Sequence, residues 1–320
     1  MASVEQVGDQ FYKVDFQQDY DLEKALSSEI TTEEELLNFI CDEMFFGYGV
    51  EANLSKYSCS AFIFPTDNGK YLTGRSFGLG GTDKIAVYTH PKGGYKSLSM
   101  VSLDPLGLGG ENGIDTLSPE GRAIVLAVPY IAVDGVNEKG VTASLLDLTE
   151  GETHQDEGKP DLLTTLAVRL ILDKAGSVDE AIELLGQYDI HSVHGAKQHI
   201  FISDATGASA VVEWHRENPA DGHSRIVMEV TRSNICTNFP FYLERDKIYC
   251  ERYLTIQNEL EGKTEISGKF AMRILSEVYQ YEPPEVFTEW SVVYYQNDFT
   301  MDVCIQKDFD TTYHLEPGDF

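Results

Sequence analysis

Residues 59–75 read as two apolar runs folded about a tight turn. Cys59-Ser60-Ala61-Phe62-Ile63-Phe64 is rich in strand formers, Pro65-Thr66-Asp67-Asn68-Gly69 is turn chemistry, and Lys70-Tyr71-Leu72-Thr73-Gly74-Arg75 is a returning strand. A hairpin here opens with a cysteine and closes with an arginine. Symmetry about Asp67 sets Cys59 opposite Arg75, and a two-residue turn at Asn68-Gly69 sets it opposite Gly78. In both registers the stretch 75–78 lies beside the sulfur, where a guanidinium favours thiolate and lowers the thiol pKa. The alternative for a lone cysteine is a small, inert core residue.

The segment before this hairpin has a different character, with 13 acidic and 3 basic side chains in residues 1–58. Thr32-Glu33-Glu34-Glu35 forms a capping box, Thr32 as N-cap and Glu35 at the third helical position. Leu36, Leu37, Phe39, Ile40 and Met44 follow at helical spacing, which predicts an amphipathic helix ending near Gly47. The chain thus divides into a helical pre-segment, 1–58, and a main domain, 59–320.

Within the main domain, strands are expected over 84–90 and 96–103, then a long apolar run, 123–133, a turn at 134–140 and a strand over 141–148. Asp161 is read as the cap of a helix over 162–174, and the capping box Ser177-Val178-Asp179-Glu180 opens another over 181–187. Strands over 199–203 and 209–214 flank a turn at 204–207, and further strands cover 225–231 and 234–238. Helices over 252–260 and 268–278 precede a hairpin of 290–295 and 300–307. Segregated strands and helix pairs indicate an α+β layered domain rather than alternating βαβ units. The glycine-rich stretches 78–81 and 107–110 lack the context of a nucleotide-binding loop.

Among the 320 residues, 53 acidic and 24 basic side chains leave a formal net charge of −29. Such a surface repels phosphate backbones and anionic lipid, so nucleic acids are excluded as general partners. No run approaches the roughly 18 apolar residues that span a bilayer, so no membrane insertion is expected. The first residues resemble no signal peptide, and the five scattered cysteines, Cys41, Cys59, Cys236, Cys250 and Cys304, suggest no disulfide framework. Both observations fit a cytoplasmic protein. No CxxC or HExxH spacing occurs, so neither a metal nor an organic cofactor is expected.

Tyr57-Ser58-Cys59-Ser60-Ala61-Phe62, followed by Gly74-Arg75-Ser76-Phe77, resembles the start of the choloylglycine hydrolase family, which contains bile salt hydrolases and penicillin V acylases. Further segments match in family order. Asp134-Gly135-Val136-Asn137-Glu138-Lys139-Gly140 is similar to its DGxNEKG turn, and Ile202-Ser203-Asp204-Ala205-Thr206-Gly207 to its ISDxTG hairpin. Cys236-Thr237-Asn238-Phe239-Pro240 is similar to its LTNxP segment, and Glu251-Arg252-Tyr253 to its SRF segment. The resemblance implies an N-terminal-nucleophile (Ntn) hydrolase, a four-layer αββα sandwich of two stacked antiparallel sheets flanked by helices. It also implies a homo-oligomer acting on a small-molecule amide.

The resemblance assigns Cys59 as nucleophile, Arg75 as the arginine beside it, Asn238 as an oxyanion-hole donor and Arg252 as a second arginine balancing charge. A terminal cysteine carries its own general base, because an α-amine has an unperturbed pKa of about 7.7–8.0. That chemistry requires cleavage of the Ser58–Cys59 bond, which makes 1–58 a candidate propeptide. Two positions depart from the pattern. Gly78 stands where the family has an aspartate that holds the terminal amine, with Asp83 the nearest substitute. Asp147 stands where bile salt hydrolases have an oxyanion-hole asparagine, and an ionised carboxylate cannot donate. These departures define one alternative, an inactive small-molecule-binding member of the fold. An acyltransferase is the other, since it uses the same acyl-enzyme.

Overall fold

The computed structural model describes residues 3–40, 58–79, 83–109, 113–148, 150–192, 196–218, 220–243, 249–282 and 286–320. The end expected near Gly47 for the first helix lies outside them. Among the described residues, none of the helices is long and apolar enough to cross a membrane.

Two large sheets stack face to face. In chain order the strands are β1 (Ser3–Gly8), β2 (Phe11–Phe16), β3 (Ser58–Pro65), β4 (Tyr71–Leu79), β5 (Lys84–Thr89), β6 (Ser97–Ser102), β7 (Asp134–Asn137), β8 (Thr142–Asp147) and β9 (Asp161–Leu163). They continue with β10 (Asp189–His191), β11 (Gln198–Ser203), β12 (Ser209–Arg216), β13 (Ile226–Thr231), β14 (Ile235–Thr237), β15 (Tyr281–Glu282), β16 (Val286–Tyr295), β17 (Thr300–Ile305) and β18 (Tyr313–Leu315). The helices are α1 (Leu22–Leu26), α2 (Glu33–Ile40), α3 (Pro119–Ile124), α4 (Thr164–Lys174), α5 (Val178–Leu185), α6 (Glu251–Leu260) and α7 (Gly268–Glu277). One sheet has nine strands in the order β1-β2-β5-β6-β7-β8-β11-β12-β13. The other runs β14-β3-β4-β16-β17-β18, with β15 added on β16.

Alternation along the strands builds the layers. On β5, Ile85 and Val87 face one core with Leu166, Val168 and Ile171 of α4 and Val178 and Leu185 of α5. Ala86, with Met100, Val136 and Phe201, faces the second sheet, where Ala61, Phe77, Trp290 and Val292 meet it. Ile256, Ala271, Ile274 and Leu275 of α6 and α7 cover the outer side. The architecture is the expected αββα sandwich.

The N-terminal segment departs from the helical reading. Residues 3–16 form β1 and β2, and β2 pairs in parallel with β5, from Phe11↔Lys84 to Phe16↔Thr89. The nine-stranded sheet is therefore antiparallel except at this pair. Phe11, Val14 and Phe16 are buried. Beyond the strands, the Tyr20 hydroxyl donates to Asp173 Oδ2 at 2.6 Å, and that carboxylate also pairs with the buried Arg169 guanidinium at 2.6 Å. The capping box of α2 is present, with Glu35 N–H donating to Thr32 Oγ1 at 3.2 Å and Thr32 N–H to Glu35 Oε2 at 3.1 Å. The parallel partner of 11–16 is β5, far along the chain, so neighbours in sequence do not reveal the pairing.

Other boundaries shift for local reasons. The 134–140 stretch is strand β7 plus a short turn, because Asp134 to Val136 pair with β6 and β8. Gly140 closes that turn at φ +80, where a Cβ meets Ala205 and the Gln296 carbonyl at 2.7 Å. Asp161 does not cap α4. It lies in β9, accepts a hydrogen bond from His191, and leaves Leu163 as the N-cap.

Candidate active site

The hairpin is β3 and β4, closed by Thr66 N–H donating to the Lys70 carbonyl at 2.8 Å. Three residues, Asp67–Gly69, lie between Thr66 and Lys70, with Asn68 at φ 67 and Gly69 at φ 69. Its register lies between the two expected, with Phe77 directly opposite Cys59, Arg75 opposite Ala61 and Gly78 opposite Ser58. Opposed residues share a face, so Arg75 and Phe77 both lie on the side of Cys59, facing the gap between the sheets.

Cys59 is 1% exposed. Burial pushes its thiol above the ordinary range, the Arg75 guanidinium and the Gly78 N–H pull it down, and the Asp147 charge pushes it up. The net shift is upward, opposite to the expected lowering, because desolvation of a sulfur between two packed sheets outweighs one cation. The thiol is therefore protonated at neutral pH and needs a base.

All five residues singled out from the sequence converge. Cys59 N–H donates to Asn238 Oδ1 at 2.8 Å. Arg252, in the first turn of α6, donates to the Cys59 carbonyl, to Ser60 Oγ at 3.2 Å and to Asn238 Oδ1 at 2.9 Å. Asn238 Nδ2 donates to the Asp147 carbonyl at 2.7 Å, while Asp147 Oδ1 accepts from Gln198 Nε2 at 3.2 Å. Asp147 thus meets Asn238 through its backbone, which needs no proton on its carboxylate. Asp83 is elsewhere, accepting from Thr116 Oγ1 at 2.8 Å.

Arg75 is wholly buried and fixed at several atoms. Its Nη1 donates to the Ser76 carbonyl at 2.9 Å, its Nη2 to the Leu145 carbonyl at 2.6 Å, and its Nε faces Asp134 Oδ2 at 3.3 Å. Burial works against its charge, but Cys59 and Asp134 outweigh it and hold Arg75 above its ordinary range. Asp134 accepts from Trp290 Nε1 at 3.2 Å and from the Tyr294 hydroxyl, and the Trp290 ring stacks on Phe77 at 4.2 Å. Sequence reasoning missed this support. Its signal was present: Asp134 is the acid that opens the 134–140 motif, yet nothing local says that it crosses to Arg75 in the other sheet. Among the described residues, no group of three or more His, Cys, Asp or Glu could hold a metal ion.

Known proteins resemble this chain in sequence and in fold. The model of the acyl-coenzyme A:6-aminopenicillanic acid acyl-transferase family matches residues 129–305. A penicillin V acylase of Pectobacterium atrosepticum is 34% identical over 111 residues, 31% of this chain and 30% of that protein, so the match spans under a third of the relative's length. Two solved structures share the fold. A conjugated bile acid hydrolase from Clostridium perfringens has a TM-score of 0.61 at 14% identity, covering 82% of this chain and 93% of that one. A penicillin V acylase from Agrobacterium tumefaciens has a TM-score of 0.54 at 16% identity, covering 82% and 87%. The chain belongs to the acyl-coenzyme A:6-aminopenicillanic acid acyl-transferase family, among the choloylglycine hydrolases and penicillin acylases that its sequence motifs indicated.

Proposed function

We propose that this chain is a cysteine N-terminal-nucleophile hydrolase of linear amide C–N bonds in small-molecule N-acyl amides, such as conjugated bile acids, penicillin V or N-acyl amino acids. Cleavage between Ser58 and Cys59 matures it. The observation that carries the reading is the convergence on Cys59: its nitrogen lies 2.8 Å from Asn238 Oδ1, and Arg252 holds its carbonyl.

In maturation, the Cys59 sulfur attacks the Ser58 carbonyl. The amide nitrogen takes the thiol proton and becomes the α-amine, and water hydrolyses the thioester to free the Ser58 carboxylate. The new amine stays at Asn238 Oδ1, the acceptor that the family's aspartate supplies elsewhere, so Gly78 leaves no gap in that role. In turnover the amine takes the thiol proton, which the raised thiol pKa makes necessary. The thiolate attacks the substrate carbonyl, the protonated amine delivers the proton to the leaving nitrogen, and water hydrolyses the acyl-enzyme. An amide NH2 has two hydrogens. One from Asn238 goes to Asp147, and the second serves the oxyanion, where a donor is worth about 3–4 kcal/mol.

Denaturing mass spectrometry of the purified protein, before and after reductant, tests maturation, with two fragments meeting at Ser58–Cys59 expected. An amide panel then tests turnover. An intact chain that turns over no amide sinks the reading. The matching family model is named for an acyl transfer, which favours acyl transfer as a second reading. An added amine acceptor that yields a new amide in preference to the free acid supports it.

A further inference from the structure

A second cysteine, histidine and acid lie in line near Cys59. Cys236 Sγ is 3.5 Å from His199 Nε2, and His199 Nδ1 is 3.1 Å from Glu213 Oε1. The three side chains are fully buried, His199 on β11 and Glu213 on β12 of the nine-stranded sheet, Cys236 on β14 of the other. The pattern resembles a nucleophilic triad, but its environment argues otherwise. Cys236 has no exposure, and burial first, then the Glu213 charge, drives its thiol well above the ordinary range. It stays protonated and unreactive.

The acid has other bonds. Glu213 Oε1 also accepts from Phe241 N–H at 2.9 Å, and Oε2 from Tyr242 N–H at 2.9 Å. A buried carboxylate with three donors is an acceptor only, so His199 carries its hydrogen on Nδ1 and accepts the Cys236 thiol on Nε2. One carboxylate–imidazole pair in the nine-stranded sheet therefore holds both flanks of Asn238. Cys236 lies two residues before it, and Phe241 and Tyr242 three and four after. Asn238 must satisfy the Cys59 nitrogen, Arg252 and Asp147 at once, which leaves its position little slack.

We infer that Glu213, acting with His199, is a positioning residue that clamps the Asn238 segment across the two sheets and so sets the geometry around the Cys59 nitrogen. This rests on the function proposed above. Displacing a reacting group by 1 Å can cost about a hundredfold in rate.

Glu213→Gln keeps one acceptor oxygen and turns an NH2 toward donors. It is expected to slow cleavage at Ser58–Cys59 and to lower kcat by at least about tenfold while KM holds within about twofold. In an Asn238→Ala background it should add nothing, because both act through the same side chain. His199→Asn keeps a donor near the Nδ1 position and should hold wild-type rates within about threefold. His199→Leu removes that donor and should behave like Glu213→Gln, and it serves if the latter does not fold. Asp173→Asn, at a buried carboxylate on the far side of the nine-stranded sheet, should alter melting without the kcat-against-KM split.

Wild-type rates in both Glu213→Gln and His199→Leu overturn the inference, as does a full additional loss in the Asn238→Ala background; neither touches the amidase reading. If the wild-type chain neither cleaves nor turns over an amide, the amidase reading fails, and amide hydrogen exchange over 236–242 decides the clamp. Faster exchange there in Glu213→Gln, with β16 and β17 unchanged, supports it, and unchanged exchange overturns it.

Discussion

Phe16→Ala asks whether the N-terminal segment remains part of the protein after the proposed cleavage at Ser58–Cys59. Phe16 is 1% exposed, ends the strand that pairs in parallel with β5, and meets Tyr20 edge-to-face at 5.9 Å. Truncating such a ring to alanine costs about 3–5 kcal/mol, through lost transfer energy and the cavity left behind. The unfolding entropy of a globular chain is about 2 cal/mol/K per residue, so a chain of this length gives about 0.7 kcal/mol per degree. A loss of about 4 kcal/mol then lowers Tm by about 6 °C. The assay is calorimetry of fully cleaved protein, with cleavage checked by denaturing mass and association by size exclusion. Wild-type fragments should co-elute, and the cleaved Phe16→Ala protein should melt about 6 °C lower. Separate elution of the fragments, or equal melting of the cleaved variant and wild type, refutes the argument that β1 and β2 are permanent strands of the sheet.

Cys59→Ala should remain a single chain by denaturing mass, form no thioester and melt close to wild type, because a small apolar side chain fills the same buried place; wild-type amide turnover in this variant refutes the mechanism. Arg252→Lys cannot reach the Cys59 carbonyl and Asn238 together with a planar fork, so both cleavage and kcat should fall by about a hundredfold in stopped assays. Gly140→Ala should lower Tm, since it combines positive φ with a 2.7 Å approach to the Gln296 carbonyl. Alkaline stability follows from the raised groups. Burial raises Cys59, Cys236 and Tyr294, and Tyr12 is pushed up to about 12. The unfolded chain releases these protons first, so their contribution is complete below about pH 8.5 and falls as pH climbs through the folded values. Denaturant midpoints should drop between pH 9 and 11, and Cys236→Ala should shallow that slope.

The residues of the candidate site could be picked out in the chain because they stand in short motifs. Cys59, Arg75, Asn238, Arg252 and Asp147 each sit in a segment whose residue types are distinctive, and all five meet around one nitrogen and one sulfur. Apolar strands flanking a turn, such as β11 and β12, and capped helices, such as α5 behind Ser177, were equally plain, since both depend on neighbours within a few residues.

Tertiary structure decided the rest, wherever the physics depends on what arrives from far along the chain. The thiol of Cys59 rises rather than falls because two sheets close over it, and burial is invisible in a hairpin read alone. Arg75 holds its charge because Asp134 comes from the opposite sheet. Residues 3–16 became strands because β5 offers them an edge, not because they announce one. The local sequence determined which groups are present and how each segment folds; long-range packing determined which are desolvated, which are paired, and therefore which protons move.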